Sequence, residues 1–321
     1  MTVAVVNGRT IRVAAVQMES KNGQIEANLK KARHFIDQAA QKGAELIVLP
    51  EFMPTGYTFT KAIWDAGEPK EGQTVKWLKD NSKRLGIYLG TSFLEADADD
   101  FFNTFVMTDP DGNEAGRVRK QKPAIFEAFF TKGDLNPHVI DTEIGKVGVG
   151  VCYENQFSFI PKIMHQTSVD LLLMPHSAPT PEQSFLFPKK QAENFNEVLK
   201  KLAYHYASML GVPVILANKC GKWQTPLLGL PSLSQNSSFP GLSTIADSDG
   251  AVKAQLGDEE GVIVEDVTID PSRKISTQPQ CYGKKSMKQT WPVNLFGVVE
   301  VFGGLYYSLS FERRRRAREI S

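Results

Sequence analysis

Apolar and polar positions along this chain switch repeatedly between a period of two and a period of 3.6. Residues 10–18, TIRVAAVQM, read as a strand with a buried face. In the next stretch, IEANLKKARHFIDQAAQKG (25–43), the apolar residues Ile25, Leu29, Ala32, Ile36, Ala39 and Ala40 recur at helical spacing. Gly43 stands where a helix C-terminus favours glycine. The run AELIVLP (44–50) is almost wholly apolar, as in a strand covered on both faces. This β-α-β rhythm returns further on. A helix near 73–85 leads into a strand at 86–94, and strands at 145–151 and 169–175 flank the helical segment SFIPKIMHQ. An amphipathic helix over about 188–210 places Val198, Leu202, Ala203, Tyr206 and Leu210 on one side, ahead of a strand at 212–218. Hairpins are expected over 103–120, turning at Asp109–Gly112, and over 243–256, turning at Asp247–Gly250. A last strand is expected at 261–269. No linker or low-complexity tract divides residues 10–270, so the pattern predicts one α/β domain of mixed sheet with helices outside, followed by an extension over 271–321.

Composition narrows the partners. Hydrophobic residues at 41% and charged residues at 23% suit a globular domain with a large core. The net charge is +1, and without the arginines of RRRRAR (Arg313 to Arg316 and Arg318) acidic groups are in excess, so no nucleic-acid partner is expected. The three cysteines, Cys152, Cys220 and Cys281, are odd in number and far apart. They form neither a disulfide framework nor a metal-ligand spacing, so no metal and a reducing, cytoplasmic setting are expected. The N-terminus lacks a basic region followed by a continuous apolar core, so no signal peptide is expected.

Candidate chemistry gathers at the ends of buried runs. In GVGVCYENQF (148–157), Cys152 closes a strand. A thiol attacks only as the thiolate, which requires a nearby base or positive field. The first amides of a helical turn after it can face a developing oxyanion. LIVLPEF (46–52) ends in Glu51, whose burial behind apolar residues is expected to raise its pKa towards the range of a general base. GRVRKQKPAIFE (116–127) adds Lys120 and Glu127. Glutamate, lysine and cysteine together can supply a base, an electrostatic stabiliser and a nucleophile. For a papain-like Cys–His pair, no histidine neighbourhood offers the pattern of a base partner.

The segments LPEFMPTGY, GRVRKQKPAIFEAFFTKGD and GVGVCYENQF, in that order, resemble the nitrilase superfamily of carbon–nitrogen hydrolases. VDLLLMP, GVPVILAN, FPGLSTIADSDGAVKA and GVIVEDVTID extend the resemblance over roughly residues 10–270. It implies a four-layer α-β-β-α sandwich without a cofactor, assembled as a homodimer or larger homo-oligomer and acting on a small molecule. It also implies roles: Glu51 as general base, Lys120 as transition-state stabiliser, Cys152 as nucleophile, Glu127 as support for substrate and lysine, and the Tyr153 amide as an oxyanion donor. TGY after Glu51 looks like the amidase branches, KQKP resembles true nitrilases, and CYE departs from the tryptophan nitrilases place after their cysteine. A linear amide or N-carbamoyl substrate is therefore expected over a nitrile. The alternatives are a nitrilase, or a catalytically silent relative acting as a binding or assembly protein. Tyr57, Phe126, Phe129, Tyr153, Glu154, Asn155 and His176 lie on segments expected to rim the site. A Glu154 facing the pocket would favour a cationic substrate end.

Beyond the resemblance lies WPVNLFGVVEVFGGLYYSLSFERRRRARE (291–319). Residues 291–311 approach the length of about 20 apolar positions that crosses a bilayer, with aromatics near both ends and arginines behind. Asn294, Glu300, Gly303 and Gly304 stand against spanning. Two other readings follow. FGVVEVFGG suits a C-terminal strand and tail packed on the core or on a partner subunit, and residues 291–318 suit contact with an anionic membrane surface as a peripheral membrane protein.

Overall fold

The computed structural model describes residues 8–180, 189–227, 230–288 and 293–321. In chain order its elements begin with β1 (Arg9–Gln17), α1 (Ile25–Gln41), β2 (Leu46–Val48) and α2 (Gln73–Leu85). Three strands follow, β3 (Tyr88–Asp97), β4 (Asp100–Thr108) and β5 (Glu114–Arg119). The second half runs β6 (Val139–Thr142), β7 (Gly145–Val149), α3 (Phe159–Gln166), β8 (Leu171–Pro175), α4 (Lys189–Leu210) and β9 (Val214–Ala217). It continues with β10 (Cys220–Leu227), β11 (Leu230–Pro240), β12 (Thr244–Ala246), β13 (Val252–Gln255) and β14 (Gly261–Ile269). Two helices, α5 (Val293–Leu309) and α6 (Phe311–Ile320), end the chain.

The strands form two six-stranded sheets, ordered β14-β1-β2-β3-β4-β5 and β13-β12-β9-β8-β7-β6. In each, the central strands run parallel and the flanking ones antiparallel. Alternation along β1 and β2 explains why both faces are apolar. Val13, Ala15, Leu46 and Val48 belong to the core shared with Val147, Val149 and Leu173 of the second sheet. Ala14, Val16, Ile47 and Leu49 point the other way, into a core with Leu29, Ile36 and Leu78 of α1 and α2. Leu199, Leu202, Ala203, Tyr206 and Leu210 of α4 cover the far side of the second sheet. The result is the four-layer α-β-β-α sandwich, each fully buried Val, Leu or Ile contributing about 1.5–3 kcal/mol.

One expectation needs correction. FGVVEVFGG is helical, not a strand: it lies within α5. Its β-branched residues favour strands only weakly, and tertiary packing decides. α5 lies against the turn Ile125–Phe129, where a Cβ on Gly303 would stand 2.7 Å from the Phe129 ring. The tail thus packs on its own chain, where Arg313 and Arg316 are shielded while Arg315 and Arg318 stay mostly exposed. Arg313 bonds Asp100 and the carbonyl of Asp99, Arg316 pairs with Asp65, Arg318 with Asp99 and Arg315 with Glu319. Tyr307 accepts the Phe101 amide at 2.7 Å. Residues 291 and 292 of the tail, residue 188 of the expected helix and residues 1–7 lie outside the described residues. No helix of the described residues is long and apolar enough to cross a membrane. The hairpin β10–β11 had no counterpart in the sequence reading.

Candidate active site

Three chain segments deliver polar groups to one end of the paired sheets. The chain leaves β2 through Pro50 to Glu51, whose backbone N–H donates to His176 O at 3.2 Å. Ser177 Oγ donates back to the Glu51 carbonyl at 2.6 Å. This lacing fixes the exits of β2 and β8 against each other. Beyond β7, Cys152 begins a single 3-10 turn, Cys152–Gln156, with φ of +53°, a strained conformation for a residue other than glycine. The turn is held from behind by Asn155, whose Nδ2 donates to Gly150 O at 2.8 Å. A Cβ on Gly150 would lie 2.0 Å from Asn155 Oδ1, so only glycine fits there. Lys120 follows β5, and Glu127 lies on the turn Ile125–Phe129.

These residues converge. Lys120 Nζ donates to Glu51 Oε1 at 2.7 Å and to Glu127 Oε2 at 2.6 Å, and all three side chains are buried. Asn103, on β4, donates through Nδ2 to the same Glu51 oxygen at 2.7 Å and to Glu127 Oε1 at 3.0 Å. Ala124 N–H and Tyr57 OH complete the Glu127 carboxylate at 3.0 and 3.4 Å. The Cys152 thiol and the Glu51 carboxylate act on each other electrostatically, and Glu51 Oε2 has no hydrogen-bond partner among the described residues.

Charge follows from that geometry. Burial alone pushes the Glu51 carboxyl up, but the charge and hydrogen bond of Lys120, helped by Cys152 and His176, bring it below the ordinary carboxylate value. The expected upward shift is therefore reversed in sign, because Lys120 lies in direct contact. Burial lowers the Lys120 ammonium and Glu127 and Glu51 more than compensate, so its pKa is raised and it stays charged. Burial and the Glu51 charge push the Cys152 thiol well up, against Lys120 and the Ser177 amide. At rest the site holds a neutral thiol beside an ionised carboxylate. That carboxylate can accept the thiol proton as sulfur attacks.

The other expected residues divide. Tyr57 sits inside, bonded to Glu127 and packed on Phe52, Phe59 and Trp223. Phe126 packs on Phe59 with ring centroids 5.4 Å apart. Glu154, expected to bind substrate, is buried with both carboxylate oxygens taken by backbone amides. Its Oε1 accepts the Gln121 and Lys122 amides at 2.7 and 3.3 Å, and its Oε2 accepts the Val151 amide at 3.1 Å. Burial pushes this carboxyl up to about 8, against the pull of Lys120 and those amides. Asn155 is likewise buried behind the turn, also donating to His176 Nε2 at 3.0 Å. The phenol of Tyr153 donates to Glu300 at 2.8 Å. His176 is buried with its pKa lowered to about 3 by desolvation, so it is neutral. Its Nδ1 has no partner among the described residues.

Two functional candidates escaped the sequence reading. Asn103 bridges the two carboxylates from mid-strand, in FFNTF, where it reads as ordinary alternation. Lys219, two residues after β9, is fully buried; its Nζ donates to Phe52 O at 2.9 Å, and desolvation brings its pKa to about 7 while Glu51 and Cys152 oppose the fall. Its signal was a pair of polar residues, Asn218 and Lys219, just beyond a buried run, akin to the signal that marked Glu51. Among the described residues no cluster of three or more His, Cys, Asp or Glu side chains is placed to hold a metal.

The family model described as carbon-nitrogen hydrolase matches residues 12–276. An omega-amidase of Xenopus laevis is 30% identical over 265 residues, covering 78% of this chain and 86% of its own. An N-carbamoylputrescine amidase of Solanum tuberosum is 26% identical over 273 residues, covering 82% and 87%. A nitrilase of Pyrococcus abyssi is 31% identical over 188 residues, covering 57% and 71%. Among solved structures, a carbon-nitrogen hydrolase from Helicobacter pylori superposes with a TM-score of 0.69 at 22% identity, covering 83% of this chain and 91% of that one, and so shares the fold. The chain belongs to the carbon–nitrogen hydrolase family of the nitrilase superfamily, cysteine-dependent enzymes of amidase, carbamoylase and nitrilase type.

Proposed function

We propose that this enzyme hydrolyses a small linear amide or N-carbamoyl compound through a covalent intermediate on Cys152, with Glu51 as proton carrier and Lys120 as electrostatic stabiliser. The supporting observation is the Lys120 ammonium bridging Glu51 and Glu127 beside the Cys152 thiol. Glu51 takes the thiol proton while sulfur bonds to the substrate carbonyl carbon. The oxyanion forms against Lys120 and the Tyr153 amide. The C–N bond then breaks, and ammonia or amine leaves with the proton held by Glu51. Water, deprotonated by Glu51, attacks the thioester and releases the acid, and the proton returns to sulfur. Glu127 keeps Lys120 in place and takes no proton.

Two observations favour amide or carbamoyl substrates over nitriles. The N-carbamoylputrescine amidase and the omega-amidase align over 82% and 78% of this chain, the nitrilase over 57%. CYE also lacks the tryptophan of nitrilases. Glu154 is clasped by backbone amides, which removes the reason to expect a cationic substrate end. The test is intact mass measurement after short ω-amides, N-carbamoyl amines and nitriles, together with ammonia release. An acyl adduct on Cys152 with amides or carbamoyl compounds supports the reading. Turnover of nitriles alone overturns the substrate class, and an adduct elsewhere overturns the mechanism.

For assembly we infer a homo-oligomer in the cytoplasm, not a membrane-surface enzyme. Arg313, Arg315, Arg316 and Arg318 each pair with a carboxylate of this chain, which reduces the basic charge offered to anionic lipid even though Arg315 and Arg318 are exposed. The exposed apolar residues Val298, Val301, Phe302, Leu305 and Leu309 on α5 suit a second copy. Light scattering at a monomer mass, or sedimentation with anionic vesicles at physiological salt, would reverse this.

A further inference from the structure

The family match ends at residue 276, yet a carboxylate beyond it reaches the turns that carry the candidate catalytic groups. Glu300, on α5, accepts the Tyr153 hydroxyl on Oε1 at 2.8 Å and pairs with Lys122 through Oε2. Tyr153 is the residue after Cys152, and Lys122 lies two residues beyond Lys120, in the backbone stretch clasped by Glu154. The same helix covers the third turn. Gly303 approaches Phe129 and Ala128, and Tyr306 packs on Phe129 with centroids 5.6 Å apart, over the turn that holds Glu127. Glu300 is mostly shielded, its side chain 12% exposed. Lys285 adds a second ammonium, 3.8 Å from the Phe157 ring centroid and 5.7 Å from that of Tyr153.

One side chain thus ties together the segments bearing Cys152 and Lys120, while its helix holds the segment bearing Glu127. These segments are single turns and loops, with few ladder hydrogen bonds to fix their separation. Charge-assisted bonds are the stronger and shorter kind available for that task. We propose that Glu300 is a positioning residue of the active site, through which α5 sets the seating of the Cys152 turn against the Lys120–Glu127 loop. This rests on the hydrolase mechanism above only for its kinetic readout. Tail docking does not depend on Glu300, because Tyr307 and Arg313 hold α5 and α6 to Asp100 and Phe101 independently.

The test uses the full chain carrying Glu300→Gln, Tyr153→Phe, or both. Measured quantities are kcat and KM, the rate of Cys152 alkylation by iodoacetamide, and amide hydrogen exchange. We expect kcat to fall about tenfold to a hundredfold in each single variant, as for a displacement of the order of 1 Å, with KM little changed. The double variant should be no worse than the poorer single, alkylation should quicken, and exchange should rise over residues 120–130 and 150–157 alone. Unchanged kcat with unchanged alkylation overturns the proposal. So does a loss of kcat accompanied by faster exchange throughout the chain, the mark of plain destabilisation. If the parent protein turns over no amide, carbamoyl compound or nitrile, the hydrolase reading fails by itself. Alkylation and exchange then decide the proposal alone: local change supports it, and no change overturns it.

Discussion

Lys120 Nζ stands 2.7 Å from Glu51 Oε1, with neither side chain exposed to solvent. That contact sets the protonation state of the whole site, because it holds the carboxylate ionised in a place where burial would otherwise neutralise it. Lys120→Met should therefore do more than slow the reaction. It leaves Glu51 and Glu127 buried without their cation, a loss of about 3–5 kcal/mol of stability. Glu51, no longer held down by the ammonium, would then titrate above its ordinary value, so the deficit should shrink as pH falls and it protonates. Urea unfolding at several pH values measures this. A deficit that does not vary with pH contradicts the assignment.

Cys152→Ala removes the nucleophile and little volume. Turnover and the acyl adduct should vanish while stability changes by about 1 kcal/mol or less. A residual rate above a few per cent in a steady-state assay would assign the chemistry to another group.

Asn103→Asp places a third carboxylate between two. Repulsion among three carboxylates that share one ammonium should displace Lys120 from its seat between Glu51 and Glu127, lowering kcat/KM at pH 7 by about tenfold to a hundredfold. Activity at parental level would show that the amide bridge is dispensable.

Glu154 gives a stability signature of known sign. Its folded pKa of about 8 lies above the ordinary glutamate value. Between the two, the folded chain holds a proton that the unfolded chain has lost, so this group's contribution falls as pH rises through the window, by about 1.4 kcal/mol per pH unit. Glu154→Gln should remove that slope. Unfolding free energies of the two proteins from pH 5 to pH 8 make the comparison, and parallel profiles would sink the assignment.

His176 is neutral down to about pH 3. The acid limb of kcat/KM should accordingly lie below the range where histidines usually titrate, and His176→Gln, which still offers Asn155 an acceptor, should leave it in place. A limb near pH 6.5 that moves in the variant would give His176 a proton-carrying role.

The legible part of this protein was its strand-end chemistry. Glu51 and Cys152 each close an apolar run, where a polar side chain is conspicuous against its neighbours, and the order of the three motifs carried the fold with them. Asn103 was hidden because a polar residue inside FFNTF looks like the solvent face of a strand, whereas β4 is buried on both sides. Lys219 was hidden because it stands beyond the polar Asn218 that closes the apolar run 212–218. The direction of the Glu51 shift depends on a lysine from 69 positions away in the sequence, and local hydrophobicity carries no information about such a partner. The tail misled through propensity: FGVVEVFGG favours strands residue by residue, but a helix is the form in which Glu300 and Gly303 share one face.

That shared face constrains the chain's length as well as its composition. Glu300 and Gly303 must meet Tyr153 and Phe129 at once. One residue inserted between them would swing one contact about 100° around the helix axis. The spacing is thus fixed as a unit, and any descendant of this sequence that gains or loses a single residue there gives up one anchor or the other.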